Sequence, residues 1–329
     1  MSAGPSGPGI EYATIDNGAG HALSVKRTAQ GPWAGARPVV LVPGYGMNSF
    51  IFGFHPRGAS IEAHLAARGL VVYSCDLRGQ GRSKRPGTPV DPGLGDLAVE
   101  DLGAVVRYVA DREAAAFGGA PPDVNLVGCS MGAALAFAHV AVHPGAKVHA
   151  LVSLAGAVTW RKAHPIVKLA FVSPALAGLV RVQNTRAIAR RVFPAIARVA
   201  PGLLAPYLRV GTTDISRAHE MVETVEDPSP RLNREIAEWV RRGALVVRGV
   251  DVSHAIRSMR HPFLCVVAAQ DGIVPPETAR SPHDDIASDD KELVFVGDAH
   301  TPFAHGDLFV GDGAQEKVFE PVARFLLRH

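Results

Sequence analysis

Six short apolar runs, at residues 38–42, 70–73, 125–127, 150–154, 263–269 and 293–296, constrain this chain more than any other feature. Each is too short for a helix of ordinary length, and each is rich in Val, Leu or Ala, which is the pattern of strands buried on both faces. Between several of them lie helical signals. Ser60 precedes a helix over 61–68 that Gly69 stops; Leu102, Val105, Val106 and Val109 give helical spacing over 97–114; and 131–142 is apolar throughout. A last helix is expected near 316–327. Strands alternating with helices predict an α/β fold, a mostly parallel sheet with helices on both faces. Residues 11–15 and 22–28 flank Asn17-Gly18 and Gly20 and predict an antiparallel hairpin at the start.

The alternation stops between Leu154 and Phe263, where helical pattern and several prolines fill about 108 residues without a convincing strand. The expected organisation is therefore a core of residues 1–156 and 249–329, with 1–10 a loose tail, and a helical insertion over 157–248. At 47% hydrophobic and 20% charged residues, the chain can bury a large core, which excludes disordered and coiled-coil readings. Cys75, Cys129 and Cys265 make neither a disulfide framework nor a zinc pattern, so a reducing compartment is expected. The opening residues lack the basic and apolar regions of a secretory signal. The longest uncharged run, 124–146, contains Asn125, two His and Pro144 and reads better as strand plus buried helix than as a membrane span. A cytoplasmic location is expected, with no nucleic-acid partner, no cofactor and no metal.

Chemistry concentrates at Gly128-Cys129-Ser130-Met131-Gly132, a G-x-S-x-G pentapeptide. The spacing alone is a weak signal. Its context is stronger: an apolar strand leads in and an apolar helix leads out. Two glycines allow a sharp turn that lifts the serine hydroxyl above the sheet, next to a helix N-terminus that favours developing negative charge. Pro43-Gly44-Tyr45-Gly46 follows an earlier strand, and its backbone can aim the Tyr45 N–H at an oxyanion alongside the Met131 N–H.

Together with Asp76-Leu77-Arg78-Gly79-Gln80-Gly81-Arg82-Ser83, these two motifs resemble the α/β-hydrolase family, over about 38–156 and 260–329. The resemblance implies that 157–248 is the family's variable cap and that 76–83 is a structural loop without chemistry. Pro43 stands where the family often has His, a position outside the triad. The family's order of serine, acid, histidine points to Asp271, because Asp271-Gly272-Ile273-Val274-Pro275 resembles its D-x-x-V-P acid loop; Asp251 and Asp298 are the alternatives. For the base, His305-Gly306-Asp307-Leu308-Phe309-Val310-Gly311 resembles the H-x-D-F-x-x-G segment of acid and gastric-type lipases and favours His305, with His300 the alternative. Ser rather than Asp at the elbow disfavours epoxide hydrolases and dehalogenases, and Ser rather than Cys disfavours polyester synthases. Cys129 is expected to be a small buried side chain.

The resemblance implies a lipase-like serine esterase acting on a small-molecule or lipid ester. Acyl transfer or thioester hydrolysis with the same triad is one alternative; a hydrolase fold that only binds a small hydrophobic ligand is another. Residues 124–213 contain no Asp or Glu but about ten Lys and Arg. Two readings of the cap compete: amphipathic helices that bury their apolar faces on the core, or a cap whose apolar side also lines an acyl pocket and whose positive outer field favours anionic esters and makes weak contact with a membrane surface. Pro174, Pro194, Pro201 and Pro206 are expected to cut the cap into short helices.

Overall fold

A computed structural model describes residues 9–30, 36–85, 90–171, 173–179, 183–298 and 300–329. The main sheet contains β1 (Gly9–Asp16), β2 (Ala22–Ala29), β3 (Val39–Val42), β4 (Val72–Asp76), β5 (Val124–Cys129) and β6 (Val148–Leu154). A two-residue ladder, β7 (Val246–Val247) with β8 (Val250–Asp251), stands apart, and β9 (Phe263–Ala268) and β10 (Lys291–Val296) complete the sheet. The strand order is β1-β2-β4-β3-β5-β6-β9-β10. β1 and β2 pair antiparallel, β2 pairs antiparallel with β4, and every pair from β4 to β10 is parallel. The fold is that of an α/β-hydrolase.

Alternation along each strand builds the core. Val40 and Val42 face one apolar cluster while Val39 and Leu41 face the other, so both sides of β3 are buried. β4 begins later than the apolar run 70–73 suggests and extends through polar Ser74 and Asp76, because those residues pair with Lys26 and Ser24 of β2. β1 starts at Gly9, opposite Ala29, so the strand reaches into the expected tail; residues 1–8 lie outside the described residues. The helix predicted over 97–114 is a π-helical turn, Asp96–Asp101, followed by the helix Leu102–Phe117. Buried Asp101 accepts from Arg78 Nε and Nη2 at 2.9 and 2.7 Å and from Asn17 Nδ2 at 2.6 Å. That pairing ties the 76–83 loop to the helix start.

The insertion contributes helices Pro165–Ala170, Pro174–Ala177, Thr185–Val199 and Pro230–Arg242. Pro194 departs from expectation: it lies inside the 15-residue helix Thr185–Val199 and does not end it. The lost backbone bond, about 3 kcal/mol in an isolated helix interior, is tolerated where Phe193 and Ala197 pack inward. Leu232, Ile236 and Trp239 of the helix Pro230–Arg242 join the same apolar cluster as β3 and β5, so this part of the insertion shares the sheet's core.

Part of the cationic excess of 124–213 is paired in the fold. Arg161 pairs with Asp284 and Asp285, Lys162 with Glu277, and Arg186 and Arg190 with Glu223, all carboxylates from outside the acid-free stretch. Folding thus neutralises much of the excess charge; Lys168, Arg191 and Arg198 have no ion-pair partner among the described residues, and Arg181 lies outside them. Among the described residues, no helix is long and apolar enough to cross a membrane.

Candidate active site

Parallel strands place their C-terminal ends along one edge of the sheet, and loops at that edge carry the site. β5 ends at Cys129, and Ser130 follows with φ of +54°, a backbone conformation that a non-glycine residue adopts only under constraint. The constraint is visible. The Ser130 N–H donates to Leu154 O at 2.8 Å, and the Ser130 carbonyl accepts from Ala133 N at 3.1 Å. Glycine is required on both sides of the turn: a Cβ on Gly128 would lie 2.2 Å from Ala133 N, and one on Gly132 would lie 2.2 Å from Val42 O. The helix Met131–Val142 starts immediately, with ten of its twelve residues buried. Ser130 Oγ makes no hydrogen bond among the described residues and is only partly covered, so it is open to a substrate.

Asp271 follows β9 and is buried. Its Oδ1 accepts from the N–H groups of Ile273 and Val274, both at 2.8 Å, which fixes the carboxylate. Oδ2 lies 2.6 Å from His305 Nδ1. An ionised carboxylate can only accept, so Nδ1 carries the proton and Nε2 is left as the acceptor. His300, in contrast, is exposed on a turn where Asp298 Oδ1 accepts from its N–H at 2.7 Å. Asp251, exposed, caps a short helix through the His254 N–H. The structure therefore brings together Asp271 and His305 and leaves Asp251, Asp298 and His300 elsewhere.

Tyr45 and Met131 flank the elbow. A Cβ on Gly44 would come within 3.2 Å of Ser130 Cβ, which measures how closely the 43–46 loop approaches the serine. The Met131 N–H opens its helix and so has no partner within it. The Tyr45 side chain points into the insertion, where its hydroxyl donates to Asn233 Oδ1 at 2.5 Å; burial pushes its phenol up to about 12. Cys129 is buried and bonds weakly to Met47 Sδ at 3.9 Å, and burial pushes its thiol well above the ordinary range. That keeps Cys129 protonated and unreactive.

Sequence reasoning missed the part played by the insertion. The segment 206–213 contacts both the acid and the histidine loops. Gly272 N–H donates to Pro206 O at 2.9 Å, and Gly306 N–H donates to Tyr207 O at 2.7 Å. The Tyr207 ring lies 6.0 Å from the His305 ring. Asp307, fully buried two residues after His305, accepts from Ala304 N–H at 2.8 Å, from Arg209 N–H at 3.1 Å and from Thr213 Oγ1–H at 2.6 Å. The oxyanion loop is held in the same way: Glu226 N–H donates to Gly46 O and Asn48 N–H to Thr224 O. Nothing in the local pattern of 206–226 signals these contacts; Asp307 alone had a signal, its place in the His305 motif. A cavity of about 840 Å³ meets the oxyanion loop at Gly46 and runs between Arg78, Lys84 and Glu226; Ser130, Asp271 and His305 do not line it.

Residues 37–301 match the family described as serine aminopeptidase, S33. His305 lies beyond that match. A monoacylglycerol lipase of Mycolicibacterium smegmatis is 28% identical over 293 residues, covering 83% of this chain and 89% of that one. Among solved structures, an esterase from Exiguobacterium antarcticum superposes with a TM-score of 0.61 at 18% identity, covering 95% of this chain and 98% of that one. A monoacylglycerol lipase from Paleococcus ferrophilus gives 0.57 at 18% identity, covering 93% and 99%.

Proposed function

The chain belongs to the serine aminopeptidase S33 family of α/β-hydrolases, and from that premise we propose that it is a carboxylic ester hydrolase, lipase-like in its substrates, working through an acyl-enzyme on Ser130. The observation that carries this reading is the buried Asp271–His305 pair, at 2.6 Å, on loops at the same sheet edge as the strained serine.

In this mechanism His305 Nε2 takes the Ser130 proton as Oγ bonds to the acyl carbon. Asp271 holds the ring in the required tautomer and stabilises the imidazolium that forms. The N–H groups of Tyr45 and Met131 receive the oxyanion, each contributing about 3 kcal/mol in the transition state. The tetrahedral intermediate expels the alcohol, which takes the proton back from His305. Water then attacks the acyl-enzyme by the same path and releases the acid. No catalytic contact between Ser130 and His305 needs to be short before substrate binds, since such contacts tighten in the complex. A hydrophobic acyl chain is the preferred substrate in this reading, supported by the named activity of the lipase relative and by the Tyr45 ring, on the loop beside Ser130, packed edge-on to Phe171 at 6.0 Å.

A fluorophosphonate probe should label Ser130 alone, and Ser130→Ala should lower ester turnover by about 10⁶ while preserving the fold. Labelling at another residue, or near-normal turnover by the alanine variant, overturns the assignment. Product analysis with an added alcohol reads the fate of the acyl group: free acid supports hydrolysis, and a new ester as main product moves the chain to acyl transfer. An aminoacyl amide cleaved faster than the matching ester moves it to peptidase chemistry.

A further inference from the structure

The helix Thr185–Val199 carries an apolar line on an exposed side. One stripe is Arg186, Arg190, Phe193 and Ala197, at helical spacing, with Arg190 itself about half exposed. Arg186 pairs with buried Glu226, Arg190 pairs with Glu223, Phe193 packs on the core and Ala197 is buried. Two residues along, and so about 200° around the helix, lies a second stripe: Ile188, Val192, Ala195 and Val199. All four are exposed, from 43% for Val192 to 82% for Val199. Leu203, in the turn that follows, is 70% exposed and extends the apolar line. A surface helix of a globular protein normally turns its polar side to water. Here the cations of one stripe are paired with acids, and the aliphatics of the other face out.

We propose that this face docks on an anionic lipid surface, with Ile188, Val192, Val199 and Leu203 entering the headgroup boundary. Charge supports that occupant over others. Arg191 and Arg198 stand one heptad apart beside the apolar stripe, exposed and without an acidic partner among the described residues, where Arg186 and Arg190 on the same helix are neutralised. Long arginine stems can lie along apolar surface and present their guanidinium groups to phosphates. The helix itself carries no carboxylate, and Glu223 and Glu226 beside it are paired with Arg190 and Arg186. Shape argues the same way. The stripe is narrow, about 17 Å long from its helical rise, and carries no aromatic anchor of the kind that centres protein interfaces. A fluid surface needs no complementary pocket.

The test is sedimentation with sucrose-loaded vesicles, one set of phosphatidylcholine alone and one containing about one-third phosphatidylglycerol, a mixture whose surface attracts basic residues. The wild-type chain should bind the anionic set and bind the neutral set much more weakly. Arg191→Gln with Arg198→Gln should weaken anionic-vesicle binding by about thirtyfold, two cations at about a decade and a half together. Ile188→Ser, Val192→Ser and Val199→Ser combined should abolish it. Each variant should retain wild-type turnover of a short soluble ester, which confirms folding. Ser130→Ala should bind vesicles as the wild type does, so this proposal and the proposed activity fail separately. The proposal is overturned if the wild-type chain ignores anionic vesicles or if the Ile188→Ser, Val192→Ser, Val199→Ser variant binds them undiminished. It is also overturned if light scattering shows a dimer that this triple variant splits, since the stripe then covers a second copy.

Discussion

Two helices rich in aliphatic residues, Met131–Val142 and Thr185–Val199, meet opposite fates. The first buries ten of its twelve residues behind the nucleophile elbow; the second, with fifteen residues, buries only Ala197. The difference lies in what surrounds them. β3, β5 and β6 supply apolar surface to the first helix, and Gly132 lets it approach Val42 closely. The second has apolar contact along one narrow line and ion pairs along the rest of that face. Apolar content therefore does not identify a core helix; the availability of a second apolar layer does. One region is a rigid platform that aims Ser130. The other is a surface element, one side of which pairs with Glu223 and Glu226.

The comparison can be broken at the platform first. Asp271→Asn should leave the fold intact and lower kcat by about 10⁴, because an amide favours the wrong imidazole tautomer. His300→Ala should turn over ester at nearly the wild-type rate. A reversed ranking would move the base to His300 and remove the platform's geometry from the mechanism.

Core packing comes next. Phe137 is buried in the first helix and meets Phe263 edge-on at 5.3 Å, so Phe137→Ala should cost about 3–5 kcal/mol in denaturant unfolding.

Acid should act on the same helix. His139 is buried, its Nδ1–H donates to Ala98 O at 3.0 Å, and burial, with His143 nearby, pushes it down to about 4. The unfolded chain binds this proton near pH 6.5 and the folded chain does not. The stabilisation is thus present above about pH 6.5 and is lost as pH falls towards about 4, up to about 3 kcal/mol. His139→Gln should flatten that part of the stability–pH curve. An unchanged curve would show that His139 titrates freely.

Smaller effects sharpen the boundary between the platform and residues 157–248. Asn233→Ala removes the acceptor of the Tyr45 hydroxyl, and the cost of about 1 kcal/mol should appear as a roughly fivefold fall in kcat with KM little changed. A change in KM alone would mean that the bond shapes substrate binding and not the oxyanion loop. Least of all, Ile188→Ser on the outer stripe should shift unfolding by no more than about 0.5 kcal/mol. A cost like that of Phe137→Ala would mean the stripe is covered in solution.

Much of the platform was legible from the chain. Gly128-Cys129-Ser130-Met131-Gly132 between an apolar strand and an apolar helix admits few backbone paths, and the structure follows the expected one. β4 was displaced because Ser74 and Asp76 are polar, and hydrophobicity cannot report a strand held by ladder bonds to β2. Pro194 misled for a similar reason: local preference argues for a break that packing on one face overrides.

What the sequence determined by itself was therefore local: the strand–turn–helix at Ser130, the acid turn at Asp271 and the alternation that makes a parallel sheet, all encoded within a few residues by sterics and periodicity. Tertiary structure decided the rest. Asp271 and His305 are 34 residues apart and meet at 2.6 Å only because β9 and β10 lie side by side and end at the same edge. The ten cations of an acid-free stretch were plain in the sequence, yet which of them are paired depended on Glu223, Glu226, Glu277, Asp284 and Asp285, carboxylates brought from elsewhere in the chain. Charge and polarity are properties of residues, but neutralisation and burial are properties of pairs, and pairs distant in sequence are made only by the fold.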